Sequence, residues 1–198
     1  MGTRGAYGLR KDGEDKITYN HSDSYPGSLG AAIAGFIRTT SVGEMKKIFD
    51  KLIMVDDGDS PAPRTAKLYL ESLNSSVGGG PKLTWYNYLR GGQGNLSFYK
   101  DKKHIHMIDS HEFIKDSLFC EYAYIINLDT EHLEFYTGFN KNINANGRYA
   151  KLHSQDRDSD YLGVALACEI SLARIINDAD SEIVSLMTAA EPKEEEVA

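Results

Sequence analysis

The sequence predicts an α+β domain in which the helices are segregated from an antiparallel sheet. Three observations predict it. The head alternates in steps of two around a tight-turn signal. The block from Ser28 to about residue 118 repeats its apolar residues in steps of three and four. From Tyr122 the period returns to two. The order is hairpin, helices, hairpin, strand, with no internal repeat and no low-complexity core segment.

Residues 3–10 read as the first strand, Lys11-Asp12-Gly13-Glu14 as the turn and 16–21 as the returning strand. The Asp-Gly pair suits the left-handed positions of a two-residue hairpin loop. Leu29, Ile33, Phe36 and Ile37 mark a helix after Ser28, a plausible cap, and Met45, Ile48, Phe49 and Leu52 a second over about 43–53. MVDDGDSPAP is a loop. Ala66, Tyr69, Leu70 and Leu73 mark a third helix starting near Pro63, and SSVGGGP is a further loop. Trp85, Tyr88 and Leu89 give a short fourth helix that stops at RGGQGN. Asp109 with Glu112 resembles a capping box ahead of a helix at about 110–118.

Tyr122, Tyr124, Ile126 and Leu128 alternate, as do Leu133, Phe135, Thr137 and Phe139, so a second hairpin turns at 129–132. Leu162, Val164, Leu166, Cys168, Ile170 and Leu172 alternate too. A helix is the rival there, because the stretch is rich in Ala and several positions fall four apart. Unbroken alternation over eleven residues favours strand.

A chain of 198 residues fits one domain, here 1–190, followed by an acidic tail, EPKEEEVA at 191–198, with too little apolar surface to order. Hydrophobic content of 41% and charged content of 26% are ordinary for a soluble protein. No apolar run is long enough for a transmembrane helix and no signal region opens the chain, so no membrane association is expected. Gly2 lacks the Ser or Thr at position 6 that myristoylation requires, since Ala6 stands there. Net charge is −7 with a pI near 5.4, which argues against general nucleic-acid binding and leaves room for an arginine cluster around one small anion. Cys120 and Cys168 have no metal spacing and read as free thiols of a cytoplasmic protein.

Several local patterns have ordinary explanations. Gly78-Gly79-Gly80 is not a phosphate loop, since no Gly-Lys-Ser/Thr follows. His104 and His106 share a strand face but lack a third ligand, so no metal and no cofactor is expected. Arg90-Gly-Gly-Gln-Gly either ends a helix or brings Arg90 and Gln93 to a ligand. The aromatic residues of 120–139 read as core. The densest polar cluster is Asn20, His21 and Asp23. It is either an Asx-type turn closing the strand or the wall of a polar pocket. Removal of Met1 would bring the α-amine of Gly2, with a pKa near 8, to the sheet edge beside Asp23 and Asn20.

The head Met-Gly2-Thr3-Arg4-Gly5, continuing to Tyr19-Asn20-His21-x-Asp23-Ser24-Tyr25-Pro26, resembles a family of bacterial and phage proteins that start Met-Cys/Gly-Thr-Arg-Gly. Trp85-Tyr86 through Arg90 and Gln93-Gly94 match a second stretch, and Asp116 to Tyr124 a third. The Cys-starting members resemble N-terminal-nucleophile hydrolases. That resemblance implies a four-layer αββα sandwich with antiparallel sheets and outer helices, in which the first mature side chain attacks an amide. The bile-salt-hydrolase branch carries Arg-Asn-x-Asp where Tyr19, Asn20 and, one residue further on, Asp23 stand here. Gly2 supplies no nucleophile, and the Thr3 hydroxyl is one residue in, on the other face of the strand.

Two functions from different classes follow. One is a binding module on a degenerate scaffold, holding a small polar metabolite or nucleotide-like ligand with Gly2, Thr3, Arg4, Asn20, His21, Asp23, Tyr25, Arg90 and Gln93. The family context adds host–phage conflict, such as sequestering a nucleotide-derived signal, by association alone. The other is an amide or C–N hydrolase with Thr3 or water as nucleophile, His21 or the terminal amine as base, and Asp23 as a further catalytic candidate. Besides that ligand, the partner left open is a second copy of the chain in a homo-oligomer.

Overall fold

The structure, a computed structural model, describes residues 2–70, 83–154 and 160–192. The triple glycine, Leu73 of the third helix and all but the first two residues of the acidic tail lie outside the described residues.

β1 (Gly5–Lys11) and β2 (Glu14–Asn20) pair in the expected hairpin, with Lys11 opposite Glu14. Asp12 and Gly13 form the whole loop, at φ 52° and 79°. That is the left-handed pair a tight hairpin demands. A short π-helical turn over Pro26–Gly30 leads into α1 (Ala31–Arg38). Ser28 lies inside that turn and caps nothing, since Gly30 holds the cap position. α2 (Val42–Lys51) begins with a capping box in which Ser41 and Glu44 satisfy one another's backbone N–H groups. β3 (Ile53–Val55) follows directly, then α3 (Pro63–Leu68), α4 (Trp85–Leu89) and β4 (His106–Ile108). β5 (Tyr122–Asn127), β6 (His132–Thr137) and β7 (Ala165–Ser171) precede α5 (Leu172–Asn177) and α6 (Asp180–Ala189). The alternation at 162–172 therefore marks a strand, and Ser171 accepts the Arg174 N–H to cap the helix after it.

The expected helix at 110–118 is absent. Only a 3₁₀ turn at Phe113–Lys115 forms there. Asp109 accepts the His111 N–H in an Asx turn instead of opening a helix. Ser110 explains why. Its N–H donates to Ile17 O at 3.0 Å and its Oγ accepts the Tyr19 N–H at 3.1 Å, which ties this segment to the edge of β2.

Five strands form one sheet in the order β2-β1-β5-β6-β7, and β3 pairs with β4 in a small parallel one. The large sheet is antiparallel except at the β1–β5 seam, which is parallel. A parallel pair needs a long crossover, and the whole block between the two hairpins serves as one. β1 is thus an interior strand, so Gly2 does not lie at an edge of the sheet.

α1, α2, α5 and α6 cover one sheet face, where Tyr7, Leu9, Tyr124, Ile126, Phe135 and Ile170 meet Ile33, Phe36, Phe49 and Ile183. The other face packs Ala6, Ile17, Ala123, Ile125 and Tyr136 against Ile114, Tyr149 and Val164 from irregular chain. β5 is buried on both faces, which is why it reads as a nearly continuous apolar run. Cys120 is buried and Cys168 half-buried, both free. Among the described residues no helix is long and apolar enough to cross a membrane.

Candidate functional site

The polar residues of the head divide into two groups. Asn20 is buried, and its amide donates to Ser22 O at 2.6 Å and Ser24 Oγ at 2.8 Å. Both amide hydrogens are therefore engaged inside the turn. Asp23 sits at φ 55°, exposed, and its carbonyl accepts the Leu29 N–H at 3.2 Å. Thr3 O accepts the Ser24 N–H, and Tyr124 Oη donates to Ser24 O. These bonds close the turn. Tyr25 points outward, 45% exposed. A side chain at residue 2 would stand 3.3 Å from Ser22 Cβ.

Tyr19 and His21 lie elsewhere. Tyr19 forms one wall of a cleft of about 280 Å³, together with Tyr86, Phe113, Asp57, Gln93 and Ser110. Phe113 meets the Tyr19 ring edge-on at 4.9 Å. Tyr86 rides on α4, whose first turn is fixed by reciprocal bonds between Thr84 and Asn87. The 56–60 loop is tied to that same turn, because Asp57 O and Asp59 O accept the Tyr86 and Trp85 N–H groups.

Gln93 is placed by the glycines around it. The Gly94 N–H donates to Tyr7 Oη at 2.9 Å, and Tyr7 Oη donates to Gly92 O. Gly94 has φ 74°, and a Cβ there would come within 3.0 Å of Asn20 Oδ1. Only glycine combines that backbone with that approach. Asn20 thus supports the cleft from below, through the loop that carries Gln93.

The rim is basic. The Arg90 guanidinium lies 5.5 Å from the Tyr86 ring centre, and that of Arg4 lies 4.6 Å from Phe119. His21 Nδ1 is 3.0 Å from Tyr19 Oη. Burial raises the pKa of the Tyr19 hydroxyl, against the opposing charge of Arg4. Among the described residues neither arginine has a carboxylate partner, and the side chains of Asp57 and Gln93 make no hydrogen bond.

The structure thus places Gln93 in the cleft wall, sets Arg90 and His21 against the wall residues Tyr86 and Tyr19, holds Arg4 over Phe119, and leaves Gly2, Thr3, Asn20, Asp23 and Tyr25 in the turn beside it. Sequence reasoning passed over Tyr19 and Tyr86 as site residues, although both lie in the quoted motifs. Asp57, Ser110 and Phe113 carried no local signal.

A second polar group lies on the same face of β2, toward the hairpin loop. Asp15 pairs with Arg10 at 2.9 Å and Arg148 at 3.3 Å, and Arg148 reaches Glu134 at 2.6 Å. Glu134 also accepts from Asn127 at 2.7 Å and Tyr136 at 2.9 Å. On the opposite face the ammonium of buried Lys16 donates to Phe49 O and Leu52 O at the end of α2.

His104 and His106 belong to an aromatic stack. Trp85 stacks on His106 at 4.4 Å and Phe98 on His104 at 3.8 Å. Tyr69 Oη accepts the N–H groups of Ile105 and His106 and lies 3.0 Å from His106 Nδ1. With two bonds accepted, the hydroxyl proton goes to Nδ1, which fixes a neutral ring. Burial lowers the His106 pKa accordingly. No grouping that could hold a metal ion exists among the described residues.

No protein-family model matches the chain, and no curated protein and no solved structure is similar enough to match it.

Proposed function

We propose that the protein binds a small, planar, polar metabolite in the cleft between Tyr19, Tyr86 and Phe113. One observation carries this function. The cleft combines three aromatic walls with two polar side chains, Asp57 and Gln93, that the described fold leaves without partners. Apolar walls with a few convergent polar groups are the usual make-up of a small-molecule site. A scaffold akin to the N-terminal-nucleophile hydrolases, without a nucleophile at residue 2, is part of the proposal and rests on the sequence resemblance.

Binding is favoured over turnover by Asn20. An acyl-transfer site needs a donor free to hold the oxyanion, and both amide hydrogens of Asn20 are already engaged.

The test is native mass spectrometry of the protein purified from producing cells, beside Tyr86→Ala and Gln93→Ala. The wild type should carry a small molecule that both variants lose while melting normally. Identical small-molecule content in all three would sink the proposal.

A further inference from the structure

The charges around the cleft restrict what enters it. We infer that the ligand is a nucleoside phosphate of the guanine type, its base between Tyr19, Tyr86 and Phe113 and its phosphate at Arg4 and Arg90. This rests on the cleft being a binding site and deepens that function.

The phosphate follows from the arginines. Of the described arginines, Arg10, Arg38, Arg148 and Arg174 each pair with a carboxylate. Arg4, Arg64 and Arg90 do not among the described residues; Arg64 is simply exposed on α3, which leaves Arg4 and Arg90, in a chain with seven excess negative charges. Each is instead associated with an aromatic ring, which orients a guanidinium without neutralising it. Arg90 lies over a ring that lines the cleft, and Arg4, over Phe119, is near enough to Tyr19 for its charge to oppose the rise in that hydroxyl's pKa. A planar fork held this way matches phosphate oxygens.

The base follows from Asp57 and the cleft's size. An ionised carboxylate only accepts hydrogen bonds, so the edge facing it must present N–H donors. A guanine-type edge offers two adjacent donors to a carboxylate, whereas adenine offers one amino group. The Gln93 amide can both donate and accept beside it. At about 280 Å³ the cleft is just below the usual range of ligand pockets, which suits a single base with the phosphate outside it. The three rings supply stacking surface that any base can use.

Calorimetric titration with GMP, guanosine, AMP and inorganic phosphate tests this. GMP should bind at least about tenfold tighter than guanosine or AMP, and its affinity should fall with added salt. Arg90→Gln and Arg4→Gln should each erase about tenfold of the GMP affinity and leave guanosine unchanged. Arg64→Gln, an exposed arginine on α3, should change neither. Asp57→Asn should narrow the gap between GMP and AMP. Equal binding of guanosine and GMP, lost in Tyr86→Ala, would overturn the phosphate assignment and leave the cleft a binding site. AMP binding as well as GMP would overturn the base assignment. Binding of none of the four would overturn the whole inference. The cleft's function would then be decided separately by the small molecule retained in native mass spectrometry.

Discussion

Asp15 and Tyr19 point from the same face of β2, with Ile17 between them, about 13 Å apart along the strand. Each is the centre of a polar group, and the two groups differ in one respect. Around Asp15 every charge meets its opposite: Arg10, Arg148 and Glu134 close on one another, and Asn127 and Tyr136 take up the remaining carboxylate lone pairs. Around Tyr19 the carboxylate of Asp57, the amide of Gln93 and the guanidinium groups of Arg4 and Arg90 stay open among the described residues. Buried polar groups left unpaired are costly, so folds close them. The closed group belongs to the architecture. The open one, with Asp57 exposed and Gln93, Arg4 and Arg90 half-buried, is kept solvated and available to a ligand.

Substitutions should therefore act on stability at one end of β2 and on binding at the other. The largest expected effect is at Glu134. Glu134→Ala strips Arg148 of its nearest carboxylate and leaves Asn127 and Tyr136 without an acceptor, for about 3–5 kcal/mol in urea denaturation. A loss below about 1 kcal/mol would show that the network is not closed in solution.

Lys16→Met comes next. It removes the donor to Phe49 O and Leu52 O, and two buried carbonyls without partners should cost about 1–3 kcal/mol by the same measurement. An unchanged midpoint would mean that other donors cap α2.

The Tyr69–His106 pair gives a smaller, pH-dependent effect. His106 has a lowered pKa in the folded state, so the unfolded chain takes up its proton first. Stability should be unaffected well above pH 6.5 and should fall as pH drops through and below that ordinary value. His106→Asn should flatten the decline between pH 7 and 5, read from urea midpoints. A slope equal to wild type would remove His106 from the account.

The smallest stability effects belong to the open group. Arg90→Gln and Gln93→Ala should shift stability by less than about 0.5 kcal/mol. A loss of 2 kcal/mol in either would place it with the closed group and break the comparison.

Some of this was legible in the sequence because the causes are local. Asp12-Gly13 dictates its own turn, and alternation within 162–172 is a property of that segment alone. The Asp109–Glu112 pattern misled because the winning bonds come from β2, remote in sequence. The parallel β1–β5 seam was unreadable for the same reason. Asn20 and Asp23 were visible as polar residues, but only Ser22, Ser24 and Gly94 decide that Asn20 faces inward. The cleft is drawn from residues 19, 57, 86, 93, 110 and 113, and no window of sequence contains them together.

The parallel seam also bears on the order in which the molecule assembles. β1–β2 and β5–β6 are hairpins with local contacts, and each can zip within its own stretch of chain. The seam that joins them brings Arg4 to Glu121 across 117 positions. Closing so long a loop loses chain entropy before any seam contact compensates. Docking of the two hairpins through β1 and β5 is therefore the step expected to be slow in folding. Until it happens, β1 offers an unpaired edge of Gly-Ala-Tyr-Gly-Leu to any other extended chain. A strand that ends up protected inside the sheet is thus exposed to mispairing while the sheet is being made.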